Sequence, residues 1–395
     1  MIKDKPEYNK IVTYLFGLYC VLLPFEEALA GSFGSILRII GISLIIVIIA
    51  AYYRNGLFMP KYNVPIVLWT LYMFFSVIWS DSFQWWSYFM RIYIVQIALL
   101  CVIEFVPVER LNIDFVKKML MIGGFVASSI IILFPTGSGF TADGRRTVML
   151  LGSVLDPNVV ASIILLGVHV AISSFFQRQK GTRYLLITVW QMAGVLMTGS
   201  RGALIAFVIG FGVELFLNLS RKGERKKAIV LVVASVVAVM VLLAVLPENL
   251  LLMRFSKDTI LGLNEFRSGA HNRYTIWLNA IQLIKKKPIF GYGCGNFFSA
   301  IATVYRQCAS HNLYILLIVE GGIIGLLFFL TYVGRLIKSL FKYNDFSTIS
   351  MLVTVMVMAI SLDSITYKYF WISLIVARLM IRQHEYRELQ EADCV

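Results

Sequence analysis

The sequence predicts an all-α membrane protein: a polytopic bundle of about 12 transmembrane helices with one long extracytoplasmic loop. Three observations lead there. Of 395 residues, 59% are hydrophobic and 15% charged, and the mean hydropathy is +0.79, too apolar for a soluble protein of this size. Apolar runs of roughly 20 residues, the length that crosses a bilayer, recur along the whole chain. Lys and Arg, finally, gather in alternate connections between those runs.

The runs lie near 9–28, 33–52, 64–80, 85–105, 116–135, 153–175, 184–199, 201–219, 228–246, 311–334, 348–366 and 369–381. The first follows Lys3, Lys5 and Lys10 and shows no small-residue cleavage site, so it reads as an anchor and not a signal peptide. The next connections alternate in charge. Those with Arg54 and Lys61, with Arg110, Lys117 and Lys118, with Arg178, Lys180 and Arg183, and the stretch 221–227 are basic, and the ones between them carry little. Taking the N-terminus as cytoplasmic places 22 Lys and Arg inside against 4 in the short outer segments. Short-loop charge sets orientation, so both termini are expected inside and His311 outside. The net charge of +14 follows from this bias, suits an anionic leaflet surface and calls for no nucleic acid.

Residues 247–310 form the expected outer loop. In "NRYTIWLNAIQLIKK", Ile276, Trp277, Ala280, Ile281 and Ile284 recur at helical spacing, which predicts an amphipathic surface helix. Pro288 stops it, and Gly291, Gly293 and Gly295 permit sharp turns or close approach to a ligand. Alone, that glycine spacing is a weak phosphate signal. Cys294 and Cys308 share this loop in a compartment that permits a disulfide, whereas Cys20 and Cys101 lie in apolar runs. No Cys, His or paired-Asp spacing matches a metal site, so neither metal nor cofactor is expected.

Topology does not require the outer arginines Arg145, Arg146, Arg201, Arg254, Arg267, Arg273 and Arg306. A guanidinium fork pairs with phosphate oxygens, although a snorkelling helix-end role is the alternative for each. "HNLYILLIVEGGIIGLLFFL" places His311 and Asn312 at the mouth of an apolar run. On an ideal helix Gly322 lies about 20° from His311, Gly325 about 40° on the other side, and Glu320 opposite. That predicts a small-residue stripe for close helix packing beneath the imidazole; the plainer alternative is a polar residue marking a helix end. Asp156, Pro157 and Asn158 either cap a helix or bind sugar. Asp363 near an outer helix end pairs with an arginine or binds acceptor hydroxyls, Glu26 and Glu27 read as surface anchors, His169 as an interior residue, His271 as a loop residue and His384 as cytoplasmic.

Four stretches in order, "LDPNVVAS" (155–162), "TGSRGALIAFVIG" (198–210), "NRYTIW…KKKPIFGYGCGNF" (272–297) and "HNLYILLIVEGGIIGLLFF" (311–329), resemble the O-antigen ligase and O-antigen polymerase superfamily, and "SVIWSDSF" (76–83) is similar in flavour. The resemblance covers roughly 150 to 350. It implies a GT-C-like fold and glycosyl transfer on the outer face of the bacterial cytoplasmic membrane, from a glycan linked through diphosphate to undecaprenol onto a sugar hydroxyl. The family's motif arginines map onto Arg201 and Arg273 and its histidine onto His311. Arg254, Arg145 and Arg146 join them as candidates for the diphosphate, and Asn312, Asp156 and Asn158 for the acceptor sugar. The His-Asn…G-x-x-G pattern fits His311, Asn312, Gly322 and Gly325, but a further glycine of some members is Phe328 here.

Displacing a lipid diphosphate requires charge neutralisation on the leaving group and removal of a proton from the acceptor. Arginine suits the first task and a neutral histidine the second. The expected partners are the lipid-linked donor, the acceptor glycan, membrane lipids, and chain-length regulator and flippase proteins. A polymerase of lipid-linked repeat units is the first reading, and a ligase moving the polymer to lipid A-core or another acceptor the second. A lipid-linked sugar transporter has the same helix count, but the visible charges cluster in the outer loop and not at the midplane.

Overall fold

Polar residues at the borders of the apolar runs start the helices, and lipid leaves backbone groups no other way to be satisfied. The computed structural model describes residues 6–26, 36–53, 61–134, 145–150, 153–177, 181–221, 223, 225–233 and 273–393. In chain order the helices are α1 (Pro6–Leu22), α2 (Ile36–Tyr52), α3 (Val64–Phe75), α4 (Phe83–Val102), α5 (Ile113–Leu133), α6 (Pro157–Gln177), α7 (Thr182–Met197), α8 (Arg201–Leu219), α9 (Arg273–Lys286), α10 (Phe297–Ala302), α11 (Leu313–Lys342), α12 (Phe346–Met358) and α13 (Lys368–Asp393). Ser82, Asn112, Ser200, Asn312 and Asp345 cap α4, α5, α8, α11 and α12, each side chain accepting from a first-turn amide.

Among the described residues, six helical stretches are long and apolar enough to cross a membrane: Lys61–Trp79, Phe83–Phe105, Ile113–Leu133, Pro157–Gln177, Arg201–Leu219 and Leu313–Lys342. Asn9–Phe25, Ile36–Tyr52 and Phe346–Met358 are apolar but shorter. The chain is thus a multi-pass, almost wholly helical membrane protein. Leu186, Val208 and Phe216 are 67%, 67% and 71% exposed, side chains that suit lipid and not water. Most of the ninth expected run, 228–246, and the first half of the expected loop, with Arg254, Arg267 and His271, lie outside the described residues. A two-residue antiparallel ladder, Met149–Leu150 with Ser153–Val154, precedes α6.

α6 forms the centre. Its face toward α5 and α7 is closed by small residues: Gly124 and Gly167 both abut Gln191, whose amide donates to Met121 O at 2.7 Å, and Gly194 abuts Ser128. Because successive helices reverse direction, one end of the bundle gathers the start of α4, α6, α8, α11 and α13, and the other their ends. At the second end Glu104 accepts from Arg378 Nε (2.8 Å) and Asn63 Nδ2 (3.2 Å) and faces Arg382 Nε at 3.5 Å, a buried network joining α13 to the segments flanking α3 and α4.

α11 is broken at Gly322, which has φ 59° and ψ −165°. The segment after α9 replaces the lost helical hydrogen bonds: Ile323 N donates to Pro288 O at 2.9 Å, and Tyr292 N and Gly293 N donate to Val319 O and Glu320 O at 2.8 Å each. A side chain on Gly291 or Gly322 would collide with the opposing backbone. The glycine run is therefore an architectural joint, and Asn296 secures it by accepting from Ser82 N at 2.9 Å. This corrects two expectations. Gly322 serves the approach of a turn, not a neighbouring helix, and the wheel that put His311 above the glycines fails because His311 precedes the helix and the helix breaks. Gly325 does pack against a helix, meeting Tyr72 and Met73 of α3.

The amphipathic helix is present as α9. It buries Ile276, Ala280 and Leu283, while Ile281 is 43% exposed, so the buried stripe is rotated slightly from the one predicted. Cys294 and Cys308 are free thiols.

Candidate active site

The turn Ser310–His311–Asn312 is pinned on three sides. Asn312 caps α11, its Oδ1 accepting from Tyr314 N and Ile315 N at 3.0 Å each. Asp363 Oδ1 accepts from Asn312 N at 3.0 Å and from the Ser310 hydroxyl. On the outer side, Trp277 of α9 donates its indole N–H to Ser310 O at 3.0 Å. Between these anchors His311 adopts φ 49°, the left-handed region that a non-glycine residue occupies only when its surroundings hold it there. An imidazole is thereby presented at a fixed place, one residue before a helix start.

His311 lines a cavity of about 570 Å³ between the starts of α2, α4, α6 and α13. Its walls carry the cations Arg38, Arg91 and Lys368, the carboxylates Glu26, Asp156 and Asp363, and the aromatic rings Trp85, Tyr88 and Tyr367. Lys368 is ion-paired with Glu26. Arg91 donates Nε to Ser87 O at 3.0 Å, which fixes the inner edge of its fork. Trp85 stacks on Phe298 at 5.0 Å, tying the α4 wall to the segment beyond the glycine joint. A cavity of this size with aromatic faces, hydroxyls and mixed charge accommodates sugar and phosphate groups together.

The residues expected from sequence divide by position. His311, Asp156 and Asp363 line the cavity. Asp156 is exposed, and its Oδ1 also accepts from Asn158 N at 2.7 Å at the start of α6. Asn158 joins two of the sequence motifs: its Oδ1 accepts from Arg145 Nη2 at 2.7 Å and from Ser200 Oγ at 2.8 Å, while Arg145 Nε donates to Thr198 O at 2.9 Å. Arg145 and Asn158 thus bind the start of α6 to the start of α8. Arg146 hydrogen-bonds Met197 O through its backbone at 3.2 Å. Arg201 is the first residue of α8 and Arg273 the first of α9, one turn ahead of Trp277 on the same face. Arg201, Arg273, Arg145 and Arg146 are not among the described residues that line the cavity, and Arg254 lies outside the described residues.

Arg38 and Arg91 were missed because they fall inside runs read as hydrophobic spans, near 33–52 and 85–105, where attention to loops skipped them. The signal was present: an ionisable residue within an apolar run marks a functional position by default. It also corrects the view that the charges cluster only in the outer loop.

Residues 185–330 match the sequence model of a family described as O-Antigen ligase. The matched stretch runs from α7 through the glycine joint and His311 into α11. An uncharacterized protein of Haemophilus influenzae is 24% identical over 208 residues, 47% of this chain and 52% of that protein. The chain thus spans about half the length of the curated relative it matches. The match falls on the bundle that carries the pinned histidine and the TGS segment bound to the start of α6, and residues 185–330 are thus similar to the O-antigen ligase family.

Proposed function

We propose that the protein is a polysaccharide polymerase that joins undecaprenyl diphosphate-linked glycans on the outer face of the cytoplasmic membrane. The observation that carries this reading is the histidine held in a left-handed turn over a cavity with three cationic side chains. The acceptor sugar's hydroxyl oxygen attacks the anomeric carbon of the donor, the bond from that carbon to the diphosphate oxygen breaks, and the lipid diphosphate leaves. The hydroxyl proton passes to the His311 imidazole and later to water. Charge developing on the leaving group is met by the forks of Arg38 and Arg91 and by Lys368, and the motif arginines Arg201 and Arg273 are the further candidates for the diphosphate. Asp156 and Asp363 supply acceptor oxygens for sugar hydroxyls, beside Asn312 and Asn158, which hold the turn and the helix starts. Guanidinium groups do the work a divalent cation does elsewhere, so activity survives EDTA.

The similarity to the O-antigen ligase family supports a second reading, a ligase that moves a finished glycan onto lipid A-core or another acceptor. Supplying the purified protein with one lipid-linked repeat unit separates the two. A ladder of products identifies the polymerase; transfer only to an added acceptor identifies the ligase; neither product with either substrate rejects glycan transfer.

A further inference from the structure

The deep end of the His311 cavity carries a polar side chain that the proposed reaction does not use. Gln96 lines the cavity on the same face of α4 as Trp85, roughly 16 Å further along the helix. It is 4% exposed. Its Oε1 accepts from the Tyr19 hydroxyl of α1 at 3.3 Å, and among the described residues neither side chain has another hydrogen-bond partner.

The two side chains fix each other. Tyr19 is 1% exposed, and its ring rests against Gly41 of α2. The phenol hydrogen goes to Gln96, so turning the amide over would leave that buried hydrogen unpaired. Oε1 is therefore held toward α1, and Nε2, with two N–H donors, is left for the cavity.

The surroundings narrow what those donors can take. The neighbouring wall residues on α4 are Ile92 and Val95, and Leu316 and Leu362 line the cavity as well. Amide donors in an apolar lining are costly without an acceptor. A sugar hydroxyl is a poor match, since it must place its own hydrogen too, and the acceptor carboxylates of Asp363 and Asp156 are held at the His311 turn and at the start of α6. A carboxylate finds its charge met at Arg38 and Arg91, and Arg91 lies about 140° round α4 from Gln96. An acyl carbonyl has lone pairs and no hydrogen to place, and the methyl group beside it fills apolar lining.

We propose that Gln96, oriented by Tyr19, is a specificity-determining residue that reads the acetamido group of an N-acetylated amino sugar in the glycan entering the cavity. The acetamido oxygen accepts from Nε2–H, and the methyl group lies against Ile92 and Val95. The assignment rests on the cavity's being a glycan site and holds for a polymerase and a ligase alike.

The test is saturation-transfer NMR on the full-length protein in nanodiscs, with empty nanodiscs as the blank. The probes are N-acetylglucosamine, N-acetylgalactosamine, glucose, galactose and glucuronate at equal concentration. The acetamido methyl protons should saturate most strongly, and at least one N-acetylated sugar should bind severalfold more tightly than its plain hexose. Gln96→Leu should weaken that binding about 2- to 12-fold, the loss of one hydrogen bond, and leave the plain hexose unchanged. Tyr19→Phe, which frees the amide to turn, should weaken it by less. If Gln96→Leu does not fold, the wild-type comparison of N-acetylated with plain sugars decides. Equal binding of the two in wild type, a preference for glucuronate, or a folded Gln96→Leu protein that keeps the acetamido preference overturns the proposal and leaves the glycan site standing. Saturation of none of the sugars removes the glycan site itself, and the proposal with it.

Discussion

Replacing Asp363 by alanine removes the acceptor that holds the catalytic turn without touching His311. Asp363 Oδ1 takes the Asn312 amide at 3.0 Å and the Ser310 hydroxyl. Hydrogen bonds to a charged group contribute about 1.5–3 kcal/mol each. Asp363 is only half-buried, so water recovers part of this, and a local loss of ~2 kcal/mol is expected. What remains is the Asn312 cap on Tyr314 N and Ile315 N, the bond from Trp277 Nε1 to Ser310 O at 3.0 Å, Leu313 N to Ala359 O at 2.8 Å and the bond from Ser310 Oγ to Asn312 O at 2.9 Å. These must oppose the ~1–2 kcal/mol that a left-handed residue costs. A 2 kcal/mol loss lowers the equilibrium constant for the productive turn about 30-fold, which is the upper bound on the fall in its population. Polymer formed per minute from lipid-linked repeat units should fall severalfold and by no more than about 30-fold through this effect in Asp363→Ala, with KM for the donor and the unfolding midpoint nearly unchanged. Asp363→Asn keeps one acceptor oxygen and should lose less. Alanine turnover within twofold of wild type would refute the claim that Asp363 positions the base.

Gly322→Ala places a side chain at φ 59° against the Ile289 carbonyl and, at 2.8 Å, the Phe290 amide; the unfolding midpoint should drop by several degrees, for a strain on the order of 1–3 kcal/mol before any clash, and an unchanged midpoint would contradict the joint. Arg38→Lys and Arg91→Lys keep charge but lose the fork, and each should lower turnover roughly 10²-fold at wild-type expression; near-normal rates in both would remove them from the leaving-group site. Burial pushes the Cys294 thiol well above the ordinary range and the Cys308 thiol upward. A raised thiol forms thiolate only as pH rises further, so maleimide should modify Cys308 at a higher pH than a free thiol and Cys294 only after unfolding; equal rates at both would contradict the burial of the glycine joint.

The helices were legible because apolar runs of spanning length have one stable form in lipid, and the capping residues Ser82, Asn112 and Ser200 mark starts that sequence alone blurs by several residues. His311 was legible as a residue but not as a conformation: its left-handed turn depends on Asp363, 52 positions later, and on Trp277 of α9. The break at Gly322 was hidden for the same reason, since the partners that satisfy its backbone come from Pro288–Gly293. A single stretch read as an ideal helix gives no sign that another segment will replace its hydrogen bonds. The opposite error occurred with Arg38 and Arg91, whose positions were visible but were absorbed into hydrophobic averages. Arg145 and Asn158 show a third kind of gap. Both were singled out for ligands, and in the fold they bind each other and the TGS segment.

The central claim is that His311 removes the acceptor proton, and the most direct measurement is turnover of His311→Asn on lipid-linked repeat units. Asparagine tolerates the left-handed backbone and keeps a polar side chain, but it takes no proton near neutral pH, so folding and chemistry are separated. The expected result is a wild-type unfolding midpoint, retained binding of the lipid-linked donor, and a turnover lower by about 10²- to 10⁴-fold. Wild-type turnover in a folded His311→Asn protein would contradict the account.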